Sequence, residues 1–155
     1  MKFGKPSAKS IKVTLFSSAI FLIGASGYYL LEIWFRGFSH WTMALCGGTC
    51  LCLIFWVNRR LSKRSLILRA AIGAIIITVV EFITGCLVNL WLHWNVWDYS
   101  HLPLNLLGQI SLAFSALWFL LCLPVCYGCS LTVRLYANVQ KTLQKNKAKG
   151  RSLFS

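Results

Sequence analysis

Four long apolar stretches alternate with short polar segments along the 155-residue chain. An α-helix rises about 1.5 Å per residue, so about 20 apolar residues cross the hydrocarbon core of a bilayer. The fourth stretch carries no charge and is long enough to tilt, or to kink at Pro124 or Gly128. The pattern predicts an all-α fold, a bundle of four transmembrane helices in a multi-pass protein of the cell membrane. The predicted spans are about residues 13–35, 41–57, 66–92 and 104–133.

Composition supports a membrane protein and charge gives it a direction. Hydrophobic residues make up 57% of the chain and charged residues 12%, which is too apolar for a soluble domain of this size. The net charge of +13 would suggest nucleic acid in a soluble protein. Fifteen of the sixteen basic residues instead form three clusters beside the spans, which predicts that both termini are cytoplasmic and that no nucleic acid is bound. The clusters are Lys2, Lys5, Lys9 and Lys12; Arg59, Arg60, Lys63, Arg64 and Arg69; and Arg134, Lys141, Lys145, Lys147, Lys149 and Arg151.

No stretch remains for a soluble domain. We predict a basic cytoplasmic N-terminal tail at residues 1–12, a transmembrane domain at 13–133 and a basic cytoplasmic C-terminal tail at 134–155. The first segment could also be a signal peptide cleaved after the small residues 25–27. Because the apolar run continues through residues 28–31, we expect an uncleaved first helix.

All acidic residues and all histidines fall in the half of the membrane that this topology turns outward. Glu32 and Arg36 are four residues apart, a spacing that places them on one helix face as an ion pair. Glu81 lies near the middle of the third span, where a carboxyl group must be protonated, paired or facing a polar cavity. We interpret Glu81 as functional; the alternative is a neutral carboxyl group hydrogen-bonded to a neighbouring helix. The acids and histidines are Glu32, Glu81, Asp98, His40, His93 and His101.

The segment 89–105 is too polar to cross a membrane and unusually aromatic. Its three tryptophans recur every three residues, which is typical of an aromatic belt at the membrane surface. Asp98 is not explained by a belt, because a carboxylate beside indole rings needs a partner or a turn to cap. Its candidate partners are Arg36, His40 and His101, and the alternative is that it caps the turn into the fourth helix.

Motifs of soluble enzymes are absent. The seven cysteines lie inside the predicted spans and behave as small apolar residues. Cys126-x-x-Cys129 has no second pair and no nearby histidine, so neither a metal nor a cofactor is predicted. There is no phosphate-binding loop, G-x-S-x-G elbow or H-E-x-x-H pair, which favours a chain that is not itself an enzyme and has no catalytic residue.

Three runs of sequence resemble one family. EIWFRGFSHWTM at residues 32–43, EFITG at 81–85 and WDYSHLPLNLLGQI at 97–110 are similar to the ABC-transporter permease family (type IV), small bacterial membrane proteins. The resemblance covers about residues 28–125. It implies a permease that forms a homo-oligomer and recruits a separate ATPase subunit. Its motif residues here are Glu32, Arg36, His40, Trp41, Glu81, Gly85, Trp97, Asp98, Tyr99, Pro103, Asn105 and Gly108.

Three functions are consistent with these features. The first is a membrane subunit of a transporter, with an outward-facing polar pocket for a small solute or a proton. The second is an enzyme or binder that acts on a lipid or cell-wall precursor at the outer leaflet, with His40 or Asp98 as general base and Arg36 holding a phosphate. The third is a non-catalytic scaffold or regulator. The candidate substrate-binding or ion-coupling residues are Glu81, Arg36, Asp98, Glu32, His40, Tyr99, Trp97 and Asn105.

Overall fold

The computed structural model describes the backbone of residues 8–152 and the side chains of residues 14–144. Within this part of the chain there are four long helices, and each contains a stretch long and apolar enough to cross a membrane. The predicted all-α bundle of four transmembrane helices is therefore confirmed, and its orientation stays a prediction. The helices are α1 (Ala8–Arg36), α2 (Trp41–Arg60), α3 (Leu66–Gly85) and α4 (Leu112–Ser152).

The helix ends follow from local chemistry. α1 ends before Gly37, whose φ of 79° is a conformation that glycine adopts without steric cost. α2 begins after His40, whose ring nitrogen accepts a hydrogen bond from the Thr42 backbone N–H. α3 begins after Ser65, a preferred N-cap residue, whose hydroxyl accepts from the Leu68 N–H. α3 then continues as one π-helical segment, Cys86–Trp91.

The helices pack as two pairs, α1 with α2 and α3 with α4, and α2 also contacts α3 and α4. A core of small and apolar side chains joins α2, α3 and α4; it contains Ile54, Ala70, Cys122 and Cys126. α1 reaches α4 through aromatic rings, such as Tyr28 with Trp118 at 5.7 Å between centroids. Thus α1 and α4 meet through aromatic side chains, while their backbones stay farther apart than those of the paired helices.

The fourth helix begins at Leu112, so the predicted start near residue 104 is wrong. The preceding residues form a short antiparallel hairpin in which strand β1 (Asn105–Leu106) pairs with strand β2 (Ile110–Ser111). The Asn105 side chain holds this turn, because its amide donates to the Leu102 carbonyl and its oxygen accepts from the Gly108 N–H. The leucines of the segment made it look like helix from sequence alone.

α4 is longer than the span that the sequence predicts. It continues through Pro124 and beyond the predicted boundary at residue 133 as far as Ser152. The part of the predicted C-terminal tail that the structure describes is thus helical and continuous with the fourth span. Residues 1–7 of the predicted N-terminal tail and residues 153–155 of the C-terminal tail lie outside the described backbone.

The two ends of the bundle differ in charge. The end where α1 stops and α4 starts carries Glu32 and Asp98, and Glu81 lies in the last turns of α3 on the same side, so we call it the acidic end. The opposite end, at the turn between α2 and α3, carries Arg59, Arg60, Lys63 and Arg64 and no acidic residue, and we call it the basic end.

Candidate functional site

An ion pair lies in the last turn of α1, at the acidic end of the bundle. Arg36 Nη2 lies 2.8 Å from Glu32 Oε1, so the pair predicted from the four-residue spacing is present. The second carboxylate oxygen of Glu32 accepts a hydrogen bond from Ser39 Oγ at 2.6 Å. Arg36 also donates to the Val96 carbonyl at 3.2 Å, which connects α1 to the loop before α4. Arg36 Nε is buried and has no hydrogen-bond partner among residues 14–144.

Glu81 is buried between α3, α4 and the loop, with 2% of its surface exposed. Trp118 Nε1 donates to one carboxyl oxygen at 2.9 Å, and the Tyr99 hydroxyl donates to the other at 3.3 Å. Both donors are neutral, and no cation forms an ion pair with Glu81 in the described part of the chain. Since Trp118 belongs to α4, Glu81 is hydrogen-bonded to a neighbouring helix, and a functional role for its carboxyl group stays a prediction.

A cavity of about 60 Å³ lies between α1 and α4 at the acidic end, and we call it the acidic-end pocket. It has room for a few water molecules or for a small solute. Its walls combine the Glu32–Arg36 ion pair with aromatic rings, and Tyr99 stacks on Phe114 at 4.4 Å between centroids. Glu81 lies directly behind two of the lining side chains, to which it is hydrogen-bonded. The lining includes Tyr28, Glu32, Arg36, Tyr99, Phe114 and Trp118.

Burial reinforces the protonated state of the Tyr99 hydroxyl. Desolvation, together with the nearby Glu81 carboxyl group, raises the pKa of the Tyr99 phenol well above its usual value. The hydroxyl therefore keeps its proton at physiological pH. At physiological pH, Tyr99 can therefore donate a hydrogen bond to Glu81 from the wall of the pocket.

Asp98 and His40 lie away from the acidic-end pocket. Asp98 is exposed and accepts hydrogen bonds from the Ser100 N–H and hydroxyl, both at 2.8 Å. These bonds hold the pKa of the Asp98 carboxyl group below its usual range. The predicted partners Arg36, His40 and His101 form no hydrogen bond or ion pair with it within residues 14–144, so Asp98 caps a turn of the loop, not the start of α4. His40 caps α2.

Trp97 and Asn105 hold the loop together. Trp97 is buried, and its indole N–H donates to the Gln109 carbonyl at 2.9 Å. Asn105 donates to carbonyls of residues 100 and 102. Of the eight residues selected from the sequence, the structure brings Glu32, Arg36 and Tyr99 to the pocket and Glu81 behind it. A direct contact of the other four with a solute stays a prediction.

Asn89 and Gln109 are central polar residues that the sequence did not single out. The Asn89 amide donates to the Trp97 carbonyl at 3.0 Å and to Gln109 Oε1 at 2.8 Å, and its oxygen accepts from the Val96 N–H at 2.7 Å. Both side chains are buried. Asn89 looked like the first residue of a loop, whereas it lies in the π-helical segment and faces inward. The sequence signal for its buried role was that the amide of Asn89 is the one polar side chain in the otherwise apolar run of residues 86–92.

We expect Asn89→Leu to lower the free energy of unfolding by about 1–2 kcal/mol, because buried backbone groups of Val96 and Trp97 lose their partner. Thermal unfolding of the purified protein in detergent measures this change. Leu90→Ala is the matched control, since Leu90 is the next residue and is 43% exposed. Equal unfolding temperatures for Asn89→Leu and wild type would contradict the anchoring role of Asn89.

The structure therefore defines a multi-pass helical membrane protein with a small cavity between α1 and α4 at the acidic end. The chain belongs to the family described as "Putative ABC-transporter type IV", which matches residues 18–149, and the resemblance found in the sequence is confirmed. The protein is thus associated with transport across a membrane. No curated protein and no solved structure shows significant similarity to the chain. Among the described residues, no three His, Cys, Asp or Glu side chains are grouped as a metal site would require.

Proposed function

We propose that this chain is the permease subunit of an ABC-type transporter and that the acidic-end pocket binds the transported solute. The observation that carries the proposal is the position of an ion pair and a buried carboxyl group around one cavity inside a membrane domain. Polar groups at this depth are costly, so they mark functional sites in membrane proteins. With the basic end in the cytoplasm, as the positive-inside rule predicts, the pocket opens outward.

The helix arrangement supports movement at this site. One wall of the pocket belongs to α1 and the other to α4, and these helices meet through aromatic side chains rather than through close backbone packing. A relative movement of the α1–α2 pair and the α3–α4 pair would change the pocket without breaking either pair. Alternating access in transporters commonly uses such rocking of helix groups around a fixed site.

The composition of the pocket favours a small solute with a positively charged nitrogen. Arg36 is paired with Glu32. Glu81, behind the Tyr99 and Trp118 side chains, is a carboxyl group without a cationic partner in the described part of the chain. Aromatic faces attract cations, and Tyr28, Tyr99 and Trp118 surround the cavity. Neither His40 nor Asp98 lines it, so the geometry supports binding and transport better than acid–base chemistry on a lipid or wall precursor.

A transporter of this kind needs partners. The chain contains no phosphate-binding loop, so a separate ATPase subunit must hydrolyse the nucleotide. Membership of an ABC-transporter family supports such a partner. We further propose that two copies of the chain form the translocation unit in the cytoplasmic membrane, because four helices are few for a complete pathway.

The proposal is tested by purifying the tagged chain in mild detergent, identifying a co-purifying ATPase and reconstituting the complex. We expect small primary or quaternary amines to stimulate ATP hydrolysis and to accumulate in vesicles. Glu32→Ala should reduce the stimulation at least tenfold, because it leaves the Arg36 cation unpaired in the wall of a pocket proposed for a cationic solute.

Leu30→Ala is the control, because Leu30 lies on α1 between the pocket residues but is 63% exposed. This variant should retain full stimulation. Absence of a co-purifying ATPase together with absence of solute flux would overturn the permease assignment. Full stimulation in Glu32→Ala would instead move the solute site away from the acidic-end pocket.

A further inference from the structure

The basic end of the bundle contains a second cavity, of about 80 Å³, between α2, α3 and α4. Three arginines from three different helices line it, together with an amide and two hydroxyl groups. The lining includes Asn58, Arg59, Ser62, Arg69, Ser130 and Arg134. We call this cavity the basic-end cavity, and it has no role in the proposed solute site.

A hydrogen-bonded core holds Arg69 in place at the inner wall of this cavity. Arg69 Nη1 donates to Asn58 Oδ1 at 2.8 Å and to Ser130 Oγ at 2.6 Å. Asn58 is 2% exposed and donates to the same Ser130 hydroxyl at 3.2 Å. The guanidinium group is therefore fixed by neutral groups, and its charge is left uncompensated.

No carboxylate of the chain can compensate these charges. The chain has only three acidic residues. The one nearest along α3 is Glu81, 12 residues and roughly 18 Å beyond Arg69. Arg59 and Arg134 make no hydrogen bond or ion pair with any residue in the range 14–144. Three guanidinium groups thus surround one small cavity, and their counter-charge must come from outside the chain.

We propose that the basic-end cavity binds the phosphate group of an anionic phospholipid. Guanidinium groups bind phosphate through paired N–H donors, and hydroxyl and amide groups can complete its hydrogen bonds. Arg59 lies in the last turn of α2 and Arg69 in the first turn of α3, so the cavity is level with the membrane surface, where lipid phosphates are found. The cytoplasmic leaflet, which the basic end is predicted to face, is rich in anionic lipids.

The test compares phosphatidylglycerol with phosphatidylcholine added to the full chain in a neutral detergent, with binding followed by native mass spectrometry. We expect saturable binding of one phosphatidylglycerol per cavity, at least tenfold tighter than binding of phosphatidylcholine. The double variant Arg59→Gln/Arg134→Gln should weaken this binding at least tenfold. It should still fold, because neither side chain makes a hydrogen bond or ion pair in the described part of the chain. Arg69→Gln tests whether the guanidinium group at the inner wall of the cavity takes part in this lipid binding.

The matched control is Arg60→Gln/Arg64→Gln, which removes the same charge from the same end of the bundle. Arg60 stacks on Trp56 at 4.8 Å and neither residue lines the cavity. Equal losses in both double variants would show general charge attraction and overturn the proposed site. Displacement of the lipid by sub-millimolar inorganic phosphate would reassign the cavity to a free anion. If Arg59→Gln/Arg134→Gln left lipid binding unchanged but abolished solute-stimulated ATP hydrolysis, the basic-end cavity would be reassigned to the acidic side chains of a protein partner.

Discussion

Glu81→Leu is expected to lower the free energy of unfolding by about 3 kcal/mol, because it removes the acceptor of two hydrogen bonds in the membrane domain. The Trp118 indole N–H and the Tyr99 hydroxyl both donate to this carboxyl group, and Trp118 is buried. Lipid offers no such acceptor inside a packed bundle. Thermal unfolding in detergent measures the loss. A Glu81→Leu protein as stable as wild type would show that these donors find other acceptors.

Glu81→Gln separates the structural role of this residue from its role in transport. The amide oxygen can accept from Trp118 while the amide nitrogen donates to the Tyr99 oxygen, so both hydrogen bonds are retained. We expect its stability to stay within about 1 kcal/mol of wild type. Solute-stimulated ATP hydrolysis should nevertheless fall at least tenfold, because the ionisable group is lost. Ile83→Ala, two residues away and 61% exposed, is the control that should change neither property.

Full transport in Glu81→Gln would leave Glu81 a purely structural group. The permease proposal would then depend on Glu32 and Arg36, and the preference for a cationic solute would depend on the aromatic rings of the pocket wall alone. This result is distinguishable from a folding defect, because the glutamine variant is expected to remain stable.

The sequence predicts most of what depends on local pattern. Four uninterrupted apolar runs are sufficient to place the helices, since a bilayer requires a run of nearly fixed length. The Glu32–Arg36 pair follows from helical spacing alone. Glu81 stands out because a carboxyl group in the middle of a span always needs an explanation. These features require no knowledge of which helices are neighbours.

Features that depend on helix neighbours could not be predicted. The pocket joins Glu32 of α1 to Trp118 of α4, residues 86 positions apart in the chain. The basic-end cavity joins Arg69 to Asn58 and Ser130 across three helices. From sequence alone, Arg69 was one member of a basic cluster that indicated orientation. Only the fold shows that it is fixed by a buried amide.

The start of α4 was misplaced for a different reason. Hydropathy does not distinguish a lipid-facing helix from an apolar hairpin at the membrane surface. The segment from residue 104 to residue 111 contains no charged residue, so it is consistent with either structure. Its turn depends on left-handed backbone at Leu104 and Leu107 and on the hydrogen bonds of Asn105. Leucine rarely adopts that conformation, so Leu104 and Leu107 gave no turn signal, and the signal came only from Asn105 and from Gly108, whose φ is 68°.

Close packing of α1 against α2 positions one wall of the acidic-end pocket. Residues 24, 28, 32 and 36 recur every four positions, so they form one stripe along α1 that begins at Gly24 and ends at Arg36. A Cβ atom at Gly24 would lie 2.6 Å from the Gly47 carbonyl oxygen and 2.6 Å from Leu51 Cβ. Since the obstacle is backbone and a Cβ atom, it cannot rotate away. The helices must separate if Gly24 is enlarged.

Gly24→Leu is therefore expected to lower the free energy of unfolding by about 3 kcal/mol and to abolish solute stimulation in the protein that still folds. The displaced helix carries Glu32 and Arg36 away from α4. Gly27→Leu is the matched control on the same helix, because a Cβ atom there meets no other atom of the described chain within 4 Å. That variant should be at least as stable as wild type, since leucine favours helix over glycine by up to about 1 kcal/mol. Equal stability and equal solute stimulation in the two variants would contradict both the close approach of α1 to α2 and its part in positioning the pocket wall.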